Sequence, residues 1–159
     1  MAKRGQRAAA KVEPDLAPPT LSRKALVAHL RAEFPQMFHA KSGYEIEALW
    51  QGGCRVRRRF NARSLRPGGT VSGATLMELA DFAMYVAILG AIGWVPLAVT
   101  TNLTINFLKK PAPRDVLAEV RLLKLGKRLA VGEVGLRSDG EDDLVAHVTS
   151  TYSIPPPQV

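Results

Sequence analysis

Cysteine is almost missing from this chain of 159 residues; Cys54 is the one copy. An intramolecular disulfide framework is excluded, and the usage fits a reducing compartment, so a cytoplasmic location is expected. Aromatic residues make up only 6%, which leaves few platforms for stacking bases and disfavours a nucleic-acid reader. His29 and His39 have no ligand partners at useful spacing; packing or surface roles are expected for both, and no metal site. The basic N-terminus has no apolar run of the kind a secretory signal needs, and there is no internal repeat.

Acidic side chains are also absent from the first eleven residues, where Lys3, Arg4, Arg7 and Lys11 fall. With three prolines by residue 19 and no apolar period, residues 1–19 read as a mobile basic tail. The formal net charge of the chain is +8, which favours anionic partners. At 47% apolar, the length suffices for one domain with a single core; it is expected over residues 20–154, with a Pro-rich end at 155–159.

The richest stretch is residues 66–87. Gly68 and Gly69 permit a sharp turn and Ser72 offers an N-cap. From Gly73 to Leu89 nearly every residue is apolar and favours helix, as in a helix buried at the centre of a domain. Its length approaches a bilayer span, but Glu78 and Asp81 lie inside it, so no membrane partner is expected. Ala74, Glu78, Asp81 and Tyr85 share one stripe at helical spacing. A carboxylate on such a helix must be paired, hydrogen-bonded or placed at a wet cleft. On the helix alone, the simpler account is a structural Asp81 paired with an arginine.

Before this helix, residues 21–34 have an amphipathic helical period that stops at Pro35. Residues 44–51 and 54–60 read as strands joined at Gly52-Gly53. The second carries Arg55, Arg57, Arg58 and Arg59 around Val56, either a solvated sheet face or a basic rim beside a phosphate-bearing ligand. After Pro96 the chain is all strand: 97–107, 116–125, 128–137 and 144–154. In 97–107 the odd positions are apolar apart from Thr101, and Thr100, Asn102, Thr104 and Asn106 alternate with them, predicting a long half-buried strand. Gly132 and Gly135 suggest a bulge or a close backbone approach. His147 falls on the face opposite Ala146 and Val148. The element order predicts an α+β domain in which a curved antiparallel sheet of about six strands wraps one long helix, with an extra N-terminal helix.

The run from Gly69 to Ala83, the run Thr100 to Pro111 (T-T-N-L-T-I-N-F-L-K-K-P) and the last strand resemble the hotdog-fold thioesterases, specifically their PaaI-like (phenylacetate-pathway) branch, over residues 20–154. The resemblance implies hydrolysis of an acyl-CoA thioester by a homodimer or dimer of dimers. No cofactor is implied beyond the CoA of the substrate. It places Gly73 as the backbone N–H donor to the carbonyl oxygen, Asp81 eight residues on as general base or nucleophile, and Thr100 as the hydroxyl that positions water or the carboxylate. Ala74 would add a second N–H, Asn102 lies in the substrate-binding strand, and Lys109, Lys110 and Arg114 fall where the family offers cations to CoA phosphates. For these three a solvated basic loop is the alternative. Gly73 and Asp81 are ~12 Å apart on one helix at 1.5 Å per residue. One carbonyl can therefore meet both only if they come from different protomers.

The family's His before the first glycine is Ser72 here, its second glycine is Ala74, and a frequent Asn or Gln falls on Arg66. Ser72 is expected to cap the helix rather than act as a nucleophile, since no base accompanies it. These departures motivate a second reading, a non-catalytic hotdog protein that binds acyl-CoA or a related anion.

Overall fold

The long apolar helix, α2 (Gly73–Ile92), starts where the Ser72 hydroxyl accepts the Thr75 N–H at 3.2 Å and ends at Gly93, whose φ of 95° only glycine adopts easily. It extends three residues past the apolar run that stops at Leu89. It is also long and apolar enough to cross a membrane, but thirteen of its residues are buried against the protein's own sheet and first helix, so it is the core helix. The computed structural model describes residues 16–156. The first fifteen residues of the expected tail and the last three of the Pro-rich end lie outside the described residues.

The short helix α1 (Arg23–Glu33) packs on α2 and on strand β1 through Leu26 and Leu30, both fully buried. The strands are β1 (Tyr44–Trp50), β2 (Gly53–Arg58), β5 (Val99–Phe107), β6 (Val116–Leu125), β7 (Leu129–Ser138) and β8 (Leu144–Ser153), in one antiparallel sheet of order β1-β2-β6-β7-β8-β5. A two-residue hairpin, β3 (Leu65–Arg66) and β4 (Thr70–Val71), turns at Gly68 and Gly69, both at positive φ, and delivers the chain to the N-terminus of α2. The sheet's inner face is built in rows: Cys54, Val120, Val134, Val148 and Ile105 are register partners in sequence across five strands. α2 lies directly on this face. A Cβ on Gly132 would stand 2.6 Å from Met84 Cε, and one on Gly90 2.7 Å from Leu49 Cδ1, so these glycines set how closely helix and sheet approach.

One expectation is corrected and one open alternative is resolved. Strand β5 starts two residues later than predicted, and its period of two breaks at a bulge between Thr100 and Asn102. One extra residue there moves Thr100 rather than Thr101 onto the inner face, opposite Tyr152. The strand is also less covered than its pattern implies, because it forms a sheet edge: Val99 and Phe107 are more than half exposed, as is Leu97 before them. The arginine strand is resolved in favour of an ion-paired outer face. Arg55 meets Glu119 and Arg59 meets Glu45, while Arg57 gathers Glu47, Asp115 and Asp139. Arg58 turns the other way, over the Tyr44 ring.

Candidate active site

Asp81 lies in the middle of α2, half-buried, and has no arginine partner among the described residues. Its Oδ1 accepts two hydroxyls, from Thr100 Oγ1 at 2.5 Å and Tyr152 at 2.8 Å, and Tyr152 also donates to the Asp81 carbonyl at 2.9 Å. The structural ion pair is therefore replaced by a neutral hydroxyl clamp. Burial and then the Asp81 charge push the Tyr152 phenol well above its ordinary range, so it remains a donor. Oδ2 receives no donor among the described residues, which leaves one carboxylate oxygen available to water.

A cavity of about 460 Å³ opens beside this carboxylate, walled by Phe34, Met37, Phe82, Tyr85, Trp94, Leu97 and Val99. Tyr85 and Trp94 bring a phenol and an indole to this wall. Met84 is fully buried against Gly132 and Met77 is exposed elsewhere on the helix. Glu78 lines the same cavity one turn before Asp81 and accepts the Tyr44 hydroxyl. The Tyr44 phenol is raised by burial and by that carboxylate.

Gly73 opens onto a different cavity, about 400 Å³, at the N-terminus of α2. Arg66, Lys109 and Lys110 line it together with Gly73, Phe107 and Pro111. The Phe107 ring lies across the glycine, so a Cβ there would meet its Cζ at 2.9 Å. Neither the Gly73 nor the Ala74 N–H is taken by an acceptor among the described residues. Free amides at the positive end of a helix suit a developing oxyanion. Ser72 is committed as the cap: its hydroxyl bonds the Thr75 amide and, at 2.9 Å, the Thr75 hydroxyl.

The basic residues divide. Lys110 and Arg66 line the cavity. Lys109 does too, but it pairs with Glu141 at 2.9 Å and Asp143 at 3.4 Å, and those carboxylates raise its pKa. Arg114 is not among the lining residues and donates to the Asp139 carbonyl. Asn102 is exposed next to the bulge; its side chain accepts a 3.5 Å contact from Thr104, its carbonyl accepts the Ser150 hydroxyl at 3.0 Å, and it lines neither cavity. One chain thus carries two separate clusters, with Asp81, Thr100 and Tyr152 at one cavity and Gly73 with its cations at the other. Sequence reasoning missed Tyr152 as a partner of Asp81. Its alternation with Val148 and Ser150 marks an inward position, but only the pairing of β5 with β8 sets it opposite Thr100.

Residues 68–145 match the family description of the thioesterase superfamily. A candidate esterase of Saccharolobus solfataricus is 32% identical over 112 residues, 70% of this chain and 73% of that one. Among solved structures, a candidate thioesterase from Silicibacter sp. TM1040 is 44% identical, covering 87% of this chain and 94% of its own, with a TM-score of 0.78. A mutant form of the phenylacetic acid degradation protein PaaI of Thermus thermophilus is 26% identical over 76% of this chain and 99% of its own, with a TM-score of 0.65. The chain belongs to the thioesterase superfamily and has its hotdog fold.

Proposed function

We propose that the protein hydrolyses an acyl-CoA thioester to the free acid and CoA, at a site shared by two protomers. The observation that carries this reading is the hydroxyl clamp on Asp81: one oxygen is held, and the other is left at the edge of an apolar cavity. Asp81 Oδ2 takes a proton from water while the oxygen attacks the thioester carbonyl. The tetrahedral oxyanion is received by the Gly73 N–H of a second protomer, with Ala74 adjacent, at the positive end of its helix. Collapse expels the CoA thiolate, a good leaving group that takes up the proton held by Asp81. Thr100 and Tyr152 orient the base, Lys110 and Arg66 offer charge to the CoA phosphates, and Lys109 adds what its own carboxylate partners leave over. Asn102 and Arg114 have weaker claims, since neither lines a cavity.

Two features support the shared site. Gly73 and Asp81 open onto separate cavities, and the β5 edge leaves Leu97, Val99 and Phe107 exposed, an apolar strip suited to a second copy.

The test is thiol release from a panel of short, medium, long-chain and aryl acyl-CoAs by wild type and Asp81→Asn. Hydrolysis that falls at least about a hundredfold in the variant is expected; equal rates would overturn the mechanism. The binding-only reading keeps one specific support: Ser72 is consumed in capping and supplies nothing in place of the family's His. It requires saturable acyl-CoA binding with no turnover on the whole panel.

A further inference from the structure

The cavity beside Asp81 is walled by charges of one sign. Glu33 and Glu78 line it with Asp81, and no lysine, arginine or histidine does among the described residues. Glu33 is the last residue of α1 and is half exposed. His29, one turn earlier, donates toward it at 3.3 Å but stacks on the Trp94 ring and is not part of the wall. Glu33 adjoins Phe34, whose ring packs on Tyr85, which sets this carboxylate at the Tyr85 end of the cavity; after burial, its charge also helps to raise the Tyr85 phenol.

That position has a consequence for what the cavity can hold. Tyr85 follows Asp81 by four residues, ~6 Å along the helix axis. The Phe34 ring meets Tyr85 edge-on at 6.1 Å, and Trp94 and Phe82 complete an aromatic channel. An acyl group whose carbonyl stands at Asp81 lies along these rings and brings its far end towards Glu33. A methyl or aryl end finds apolar surface there. A carboxylate end finds a second carboxylate, with Glu78 and Asp81 behind it and no cation in the wall to offset the repulsion.

We propose that this cleft selects acyl groups with an uncharged end over those ending in a carboxylate, and that Glu33 on α1 is the specificity-determining residue. For its chemistry the proposal rests on the hydrolase reading above.

Hexanoyl-CoA and adipoyl-CoA share a chain length and differ in the terminal carboxylate. Wild type is expected to favour hexanoyl-CoA by about tenfold or more in kcat/KM, a gap that narrows in high salt. Glu33→Gln reduces the gap. Glu33→Lys closes it by raising the adipoyl-CoA value about tenfold while the hexanoyl-CoA value stays near wild type. Equal use of both esters by wild type, or an unchanged ratio in Glu33→Lys, overturns the proposal. Titrating the same two esters onto Asp81→Asn, with and without Glu33→Lys, reads the selectivity without turnover. Selective binding by a protein that hydrolyses neither ester would sink the hydrolase reading and leave the selectivity standing; hydrolysis of both alike would do the reverse.

Discussion

A carboxylate that receives two hydroxyl donors on one oxygen has its rotamer and its free oxygen fixed together. Removing either donor from Asp81 should therefore affect turnover more than substrate binding. Tyr152→Phe and Thr100→Val are each expected to lower kcat by about 10- to 100-fold, the range for one hydrogen bond to a charged group, with KM little changed. Steady-state kinetics on any hydrolysed acyl-CoA will check it. At the other cavity, Gly73 is the first residue of its helix, where proline is tolerated because that N–H has no helical acceptor; the extended backbone of Ser72 (ψ 150°) also suits a residue before proline. Gly73→Pro should keep α2 folded while deleting the proposed oxyanion donor, lowering kcat by about 100- to 1,000-fold. Gly73→Ala introduces the same contact with Phe107 but keeps the N–H, so it separates crowding from lost donation. If both variants are equally impaired, crowding accounts for the loss and the donor role is wrong. At this scale the sequence was informative about Asp81, whose charge is out of place on an apolar helix, and about Ser72, whose capping follows from local chemistry. It was silent about Tyr152, because a partnership between β8 and α2 is made by sheet pairing and leaves no local pattern.

The elements show where periodicity reads true and where it does not. α2 was legible because a continuous apolar run bounded by a cap and a positive-φ glycine has one reading. Strand β7 likewise carries its period of two from end to end. Strand β5 does not: its bulge shifts the period by one residue, which is why Thr100 reads as an outward polar residue although it bonds Asp81. The close approach suggested by Gly132 is real, since Met84 occupies the space a side chain would need. Gly132→Val should destabilise the protein by about 1–3 kcal/mol. Met84→Ala should recover part of that cost in the double variant, a coupling that urea unfolding of the four-member cycle would measure.

On the outer face, Arg57 holds three carboxylates together. For Asp115, burial alone would raise the pKa, but the Phe60 N–H and the Arg57 guanidinium together hold it below the usual carboxylate range. A depressed folded-state pKa contributes stability that is present above the unfolded value and is lost as pH falls through the folded one. Unfolding midpoints should therefore drop on acidification below about pH 4. Arg57→Met should cost about 1–3 kcal/mol at neutral pH and show a shallower acid loss. An acid limb identical to wild type would remove Asp115 and Arg57 from the account.

For the whole molecule, the separation of Gly73 from Asp81 yields a test that single-site kinetics cannot supply. If each site takes its donor from one protomer and its base from the other, then Asp81→Asn and Gly73→Pro proteins, each inactive alone, should complement when mixed and reassociated. Random pairing makes half the dimers mixed, each with one intact site of two, so about a quarter of wild-type activity should return. No recovery from a mixture shown to exchange protomers would place the whole site within one chain. The separation of Gly73 from Asp81 was foreseeable from helix geometry alone; which side chains wall the cavity beside Asp81 was not, because its walls are drawn from α1, β5, β8 and the segment after α2, elements distant in sequence.

The helix that joins Gly73 to Asp81 also acts as a ruler. One residue inserted between Gly73 and Asp81 would turn the carboxylate by ~100°, away from Thr100 and Tyr152 and into the packed rows beneath. In this chain the interval from Gly73 to Asp81 therefore cannot change length by a single residue without losing the hydroxyl clamp, whatever its apolar composition. New preferences are left to arise at the margins, where α1 and the turn after α2 can lengthen, shorten or change charge without moving the two chemical ends.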